Sequence, residues 1–157
     1  MIRLSTLVIA LATVLAMSAQ SPDAAGAKPN TYAQKLVDQA PAQHSDVIIL
    51  VFHVSNKNAS DYPIIASNIG RYGKKADEDD LRVIHTGKAN LEVNPAGNHF
   101  EVEMPLRDTS KKVVGAMGVV FNYKAGDDKE VLHKKADQVR AEVEKKISSL
   151  AQLMGPA

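Results

Sequence analysis

Apolar and polar residues alternate most regularly between His99 and Arg107. One face of this segment carries four apolar side chains, those of Phe100, Val102, Met104 and Leu106. The other face carries His99, Glu101, Glu103 and Arg107. A period of two is that of a β-strand, and a polar second face is typical of an antiparallel sheet with one side in water. We therefore expect the carboxylates of Glu101 and Glu103 to be hydrated.

Runs of β-branched and apolar residues predict four more strands. They lie at 46–54, 62–68, 91–94 and 113–123. Gly115 and Gly118 in the last of them indicate a bend or a close neighbour. Connections of hairpin length join the last three strands, so we expect an antiparallel sheet of about five strands.

Two short helices are predicted from capping residues and helix breakers. The first follows Thr31 as N-cap and runs over 32–40, where Pro41 ends it. The second runs over 76–85 and lies between strands 2 and 3 of the sheet. Its first turns hold four carboxylates, which suit the positive end of a helix, and Gly87 provides its stop.

A long C-terminal helix is predicted over 128–154, with Asp127 as its N-cap. Apolar residues from Leu132 to Met154 recur at spacings of three and four, which makes one continuous stripe. The elements together predict an α+β fold, in which an antiparallel sheet is flanked by an N-terminal helix, an inserted helix and this long C-terminal helix. Because the helix is about as long as a domain of this size is wide, part of the stripe should overhang if only the sheet packs against it, and an overhang would favour a homodimer. The alternative is that the helix folds back on its own sheet or on helix 31–40 and the protein is a monomer.

The N-terminus has the pattern of a secretory signal peptide. Arg3 precedes a short apolar run from Leu4 to Met17, and small residues allow cleavage after Ala19 or Ala27. The Ala-x-Ala form favours Ala27, which makes 1–27 a signal peptide and 28–157 one exported domain. The open alternative is an uncleaved anchor. We expect a periplasmic or secreted protein.

Composition narrows the function classes. The 157-residue chain has no cysteine, which excludes disulfides, thiol catalysis and cysteine-based metal sites. Its formal net charge is +1, so the chain lacks the strong basic field that nucleic-acid binding needs. No HExxH motif, P-loop or nucleophile elbow occurs. We therefore predict no metal, no cofactor, no nucleic-acid partner and no enzymatic activity.

Several short phrases resemble the Cache family, the extracytoplasmic relatives of PAS sensor domains. They are Ile65-Ala66-Ser67-Asn68, Gly73-Lys74, Thr86-Gly87-Lys88, Pro105-Leu106-Arg107-Asp108 and the glycine-spaced strand 114–120. The resemblance implies a PAS-like fold and a small-molecule sensor, and a membrane-bound sensor protein as a partner. The chain departs from the family in having no tryptophan and none of the pocket pattern that grips amino acids. We also expect it to carry no output module of its own.

Five residues are the predicted ligand-binding set, and each has a structural alternative. His53 interrupts an apolar strand, where it is a pocket donor or a satisfied core histidine. Ser67 and Asn68 end the second strand, where they line a pocket or cap a turn. Arg71 clamps a carboxylate or is a solvated loop residue. Tyr123 lines the pocket or packs in the core.

The sequence thus predicts an exported sensor-type domain that binds a small polar metabolite between the sheet and segment 56–90. The rival hypothesis is a structural or protein-interaction module without a ligand, acting through its surface or C-terminal helix.

Overall fold

A computed structural model describes residues 26–55 and 61–157 of the chain. The elements in chain order are α1 (Tyr32–Gln43), β1 (Val47–Val54), β2 (Ile64–Ser67), α2 (Glu78–Thr86), β3 (Asn90–Val93), β4 (His99–Arg107), β5 (Val113–Asn122), α3 (Lys129–Glu144) and α4 (Leu150–Met154). The strands form one sheet in the order β2-β1-β5-β4-β3, and every neighbouring pair is antiparallel. The predicted α+β fold class is confirmed.

One face of the sheet, the apolar face, carries the main core. The alternating residues of β1, β4 and β5 that point to it are fully buried, Phe52, Met104 and Phe121 among them. They pack against α1, α3 and α4, which supply further apolar side chains to the same cluster. Burial of this kind is the dominant stabilising contribution in a domain without disulfides.

The opposite face, the α2 face, is also covered, and the expectation that it lies in water is wrong. Helix α2 packs across β4 and β5, with its Val83 and Ile84 against Ala116. As a result Glu103 is only 8% exposed, and Glu101 is partly buried. The period of two in the sequence identified the polar face of the strand, but it could not show that a helix covers that face.

The first helix continues past the proline expected to end it. Helix α1 runs to Gln43 with Pro41 inside its last turn. Proline removes a single hydrogen bond at this position, and the His44 amide then donates to the carbonyl of Ala40 at 2.9 Å. The loss is small because it falls where the helix is already ending.

The C-terminal helix is not continuous, which corrects the predicted span of 128–154. It divides into α3 and α4, and Asp128 rather than Asp127 is the N-cap of α3. Between the two helices the amide of Thr109 donates to the carbonyl of Ile147 at 2.8 Å, so the break is fixed by the β4–β5 hairpin. Ser149 then caps α4 by accepting a hydrogen bond from the amide of Gln152.

Because of this break, apolar residues of the stripe pack in the protein's own core. Val139, Val143, Ile147 and Leu153 are all buried in the main cluster. The overhang that motivated a homodimer is therefore absent from the described helices, and dimerisation stays a prediction without that support.

Two glycines of β5 lie where a neighbour approaches closely, as the sequence indicated. A side chain at Gly115 would collide with the backbone carbonyl of His53. A Cβ at Gly118 would come within 3.0 Å of the Glu101 carboxylate. The second glycine thus makes room for a charged side chain on the α2 face.

Within the described residues, no helix combines the length and the apolar character needed to cross a bilayer. The signal peptide assigned to 1–27 falls almost wholly outside the described residues.

Candidate functional site

The start of α2 is fixed by a reciprocal capping box. The side chain of Asp77 accepts hydrogen bonds from the amides of Asp79 and Asp80, each at 3.2 Å. The carboxylate of Asp80 accepts one from the amide of Asp77 at 3.1 Å. This pattern satisfies amides that the first helical turn leaves free, and it turns Asp80 toward the sheet. Gly87, in the left-handed conformation with φ 68°, ends the helix as predicted.

His53 lies beneath this helix start, on β1, which is paired between β2 and β5. Its side chain is 4% exposed, and its Nδ1–H donates to the carbonyl of Tyr62 at 2.9 Å. The other ring nitrogen, Nε2, lies 3.4 Å from Oδ2 of Asp80. Because the carbonyl requires a proton on Nδ1, a hydrogen bond between Nε2 and Asp80 needs a second proton on one of these two groups.

Glu103 approaches the same region from β4. Its Oε2 accepts a hydrogen bond from Nδ2 of Asn90, on the edge strand β3, at 2.8 Å. The Asn90 amide is held in turn by Arg82 of α2, whose Nη2 donates to Oδ1 at 3.0 Å. Strand, edge strand and helix are thus tied together through polar side chains.

These groups form one cluster, which we call the α2-face cluster: His53, Asp77, Asp80, Glu101 and Glu103. Carboxylate oxygens of Asp77, Asp80 and Glu103 lie within 4.8 Å of one another. Burial raises the pKa of Glu103 to about 7, and the neighbouring carboxylates add to the effect. Burial likewise raises the pKa values of Asp80 and Glu101. Glu103 therefore retains a proton close to neutral pH, and the carboxyl groups present hydrogen-bond acceptors wherever they are ionised.

We assign no metal to this cluster. Asp80 and Glu103 already accept hydrogen bonds from Asp77 and Asn90, and burial raises the pKa of both carboxyl groups, which favours their uncharged forms.

Ser67 and Asn68, two of the predicted ligand contacts, form hydrogen bonds at the end of β2. The carbonyl of Ser67 accepts from Gln34 and from the Tyr72 hydroxyl, each at 3.0 Å. Asn68 accepts from the amide of Leu50 at 2.9 Å and donates to the carbonyl of Ile48 at 3.0 Å. The Asn68 side chain therefore continues the hydrogen bonding between β2 and the backbone of β1.

Arg71 and Tyr123 lie away from His53, so the five predicted residues do not converge on one cavity. Arg71 is an exposed turn residue with φ 64°. Tyr123 packs on the apolar face, with its ring centroid 6.0 Å from that of Phe100 and with Lys129 5.7 Å above it. His53 and Tyr123 thus point to opposite faces of the sheet, because they belong to opposite sets of alternating residues. The role of the five predicted residues in ligand binding stays a prediction.

Asp80, Asn90 and Glu103 are the site residues that sequence reasoning missed. Asp80 had a sufficient explanation as a helix-start carboxylate and Glu103 as a residue of a hydrated strand face, and Asn90 lay just outside the predicted strand 91–94. The sequence signal that could have found them is the pair Glu101 and Glu103 on one face of a strand, because the helix predicted over 76–85 must also pack on a face of the sheet.

Two open grooves lie elsewhere on the described surface. One, of about 460 Å³, runs between the start of α1 and Ala157. The other, of about 430 Å³, lies between the β4–β5 hairpin and the start of α4. None of the five predicted residues lines either groove.

No family model matches this chain, and no curated protein matches it. Among solved structures it is similar to the GAF domain of A. aeolicus nlh2 in an inactive state, with 14% identity, 73% of this chain and 82% of that chain covered, and a TM-score of 0.53. It is also similar to a double mutant of the PobR transcription factor inducer-binding domain from Acinetobacter in complex with 3-hydroxybenzoic acid. That pair has 9% identity, 79% and 99% coverage, and a TM-score of 0.52.

A further structure, a type II free methionine-R-sulfoxide reductase from Thermoplasma acidophilum, is 15% identical, with coverage of 78% and 92% and a TM-score of 0.48. At such identities the first two likenesses establish the fold, which is GAF- or PAS-like. The Cache type in particular is not distinguished by them.

Proposed function

We propose that this protein is an exported domain that binds a small polar molecule beneath α2, at the α2-face cluster. The observation that carries the proposal is the burial of His53, Asp80 and Glu103 between a helix and a sheet. Apolar side chains of similar volume at such an interface are often as stable or more stable. Buried carboxyl groups with raised pKa values, as at Asp80 and Glu103, are typical of functional sites.

The fold supports the same class of function. The PobR domain was solved with 3-hydroxybenzoic acid bound, so a domain with this arrangement of strands and helices holds a small organic molecule. The likeness does not identify a ligand for this chain, because proteins that share a fold can have different binding sites.

The charge of the cluster defines the class of ligand. Carboxylates outnumber cationic groups beneath α2, so a ligand acid would meet like charge there. A neutral or cationic molecule with hydroxyl or amine donors would instead pair with the free lone pairs of Asp80 and Glu103. We therefore propose a polyol, an amine or a similar donor-rich metabolite.

Export and partnership complete the proposal. The charged start and short apolar run of the sequence support a signal peptide, and the Cache-like phrases support a periplasmic or secreted sensor. We propose that a membrane-bound sensor protein receives the signal, and that the domain binds rather than catalyses. Mass spectrometry of the native protein should find a chain that begins at Gln20 or Lys28. Recovery of intact Met1 would contradict export.

Ligand binding is tested by thermal unfolding of the purified protein against panels of amines, polyols and organic acids. A true ligand at a hundredfold excess over Kd adds about 2.7 kcal/mol to the free energy of unfolding. We expect stabilisation from an amine or polyol, loss of that effect in His53→Gln, and its retention in Glu92→Gln. Glu92 is the matched control because it lies on the same face at the exposed edge strand. Stabilisation that survives unchanged in His53→Gln would place the ligand elsewhere.

A further inference from the structure

The interface between α2 and the sheet brings acidic groups together from both sides. Glu103 comes from β4, and Asp77 and Asp80 come from the start of α2, with carboxylate oxygens within 4.8 Å. Glu103 and Asp80 are 8% and 5% exposed, so little water reaches them. Seating the helix on the sheet therefore requires the carboxylates of Asp80 and Glu103 to leave water together, while Asp77 stays exposed at the helix start.

The cationic groups nearby do not neutralise Glu103. Lys74 acts on Asp80 and Glu101, whose pKa values it lowers against the larger effect of burial. Arg82 is directed to Asp79 at 2.6 Å and to the neutral amide of Asn90.

His53 on β1 faces Asp80 at 3.4 Å, and Glu92 on β3 and Glu101 on β4 add further negative charge. Strand β5 contributes no titratable side chain beneath the helix, since Ala116, Gly118 and Val120 point to this face. Among the described residues, the hydrogen-bond partner of the Glu103 carboxylate is therefore the uncharged Asn90.

Ionising neighbouring carboxylates at a buried interface is costly, so protonation of Asp80 and Glu103 is favoured while the helix is in place. Lifting the helix would return them to water, where each ionises independently. From this geometry we propose that α2 is a proton-controlled cover: protonation of the Glu103–Asp80 contact holds the helix on the sheet, and ionisation loosens it to expose the face beneath.

The direction of the effect follows from the protonation of Glu103. With the helix in place its pKa is raised from 4.5 to about 7, so the covered state binds protons more tightly than the uncovered state. Covering is most stable below pH 4.5, weakens as the pH rises towards 7, and changes little above that. A ligand would accordingly enter at neutral pH and be retained on acidification.

The inference concerns regulation of the site in the proposed function, but its test uses no ligand, so the two can fail separately. Hydrogen exchange of the full mature protein is followed at pH 5 and pH 7.5 over low denaturant concentrations, with intrinsic exchange rates corrected. The amides of Leu81 and Gly87, bonded within α2 to Asp77 and Val83, report its local opening. We expect their opening constant to rise about tenfold to fiftyfold between the two pH values.

Two comparisons make the test specific. In Glu103→Gln the rise should shrink to the part that Asp80 and Glu101 contribute, whereas Glu92→Gln should keep it in full. Local openings of α1, on the opposite face, should not change with pH, because Glu103 stays buried when α1 frays. Should Glu103→Gln fail to fold, the carboxyl carbon of Glu103 is titrated by NMR in the natural protein and should show a transition near 7.

Three results would overturn the proposal. The first is that the α2 amides exchange only by global unfolding, in which case their exchange depends on denaturant concentration as strongly as that of the β5 amides. The second is a local opening of α2 that is independent of pH, or equally pH-dependent in Glu103→Gln. The third is titration of Glu103 at its ordinary value.

Discussion

Both faces of the sheet are covered by helices, but by opposite chemistry. On the apolar face Phe52, Met104 and Phe121 meet three helices through contacts that depend on volume and shape. On the α2 face, strands of the same sheet present His53 and Glu103 to a single short helix. An apolar core tolerates exchange of one hydrocarbon for another, whereas a buried charged group requires particular partners. We conclude that the apolar face provides most of the stability of the domain, and the proposed function assigns its specific chemistry to the α2 face.

The largest expected effect is on the apolar face. Met104→Ala removes a fully buried side chain that lies opposite Met117 on β5, and it should lower the free energy of unfolding by about 2–5 kcal/mol. Leu91→Ala is the control, since Leu91 points to the same face but is 43% exposed. Chemical denaturation should find it within about 0.5 kcal/mol of the natural protein. Equal losses at both positions would mean that the strand register is wrong.

A smaller effect of opposite sign is expected on the α2 face. Glu103→Gln keeps an acceptor for Asn90 and removes the carboxylate, whose pKa of about 7 against an ordinary 4.5 corresponds to at most about 3 kcal/mol. The variant should be about 1–3 kcal/mol more stable than the natural protein at pH 8. Since the raised pKa costs stability only where the carboxylate is ionised, the advantage should shrink below pH 7 and vanish near pH 4.

This pH profile of Glu103→Gln is measured by denaturation at several pH values beside Glu92→Gln. A loss of stability at pH 8 in Glu103→Gln would mean that the ionised carboxylate is stabilised in the folded protein by more than its hydrogen bond from Asn90.

The smallest expected effect is the difference in stability lost when an N-cap is removed from a helix on the apolar face and from the helix on the α2 face. Ser149→Ala removes the cap of α4 and should cost about 1 kcal/mol at any pH between 4 and 8. Asp77→Ala removes the cap of α2 but also one negative charge beside Asp80 and Glu103. Its cost should therefore be smaller at pH 8 than at pH 4, where those neighbours are protonated. If the two variants lose the same free energy at both pH values, the acidic groups are not coupled across the interface.

Local features of the chain were readable without the structure. The alternation at 99–107, the glycine that ends α2 and the close neighbours of Gly115 and Gly118 each depend on residues adjacent in sequence or on backbone geometry. The strands and their antiparallel pairing followed from short connections between periodic segments. Even His53 was identified as exceptional, because it is the one polar side chain in the buried strand β1.

The candidate site was predicted much less completely. His53 belongs to the α2-face cluster, but Asn68 supports β1 and Tyr123 packs on the other face. Asp80 and Glu103 were recognised only as a helix-start residue and a strand residue, because their proximity spans more than twenty positions of the chain and depends on where α2 lands.

The sequence by itself determined which residues form strands and helices and which side of each is apolar, because periodicity and capping are local properties. Only the tertiary structure decided which faces are covered. The hydrogen bond from Thr109 to Ile147 divides a stripe that is continuous in sequence, and the seating of α2 buries carboxylates that alternate as a hydrated face. The physical reason is that desolvation depends on what packs against a group, and a polar pattern is the same whether water or a helix lies above it.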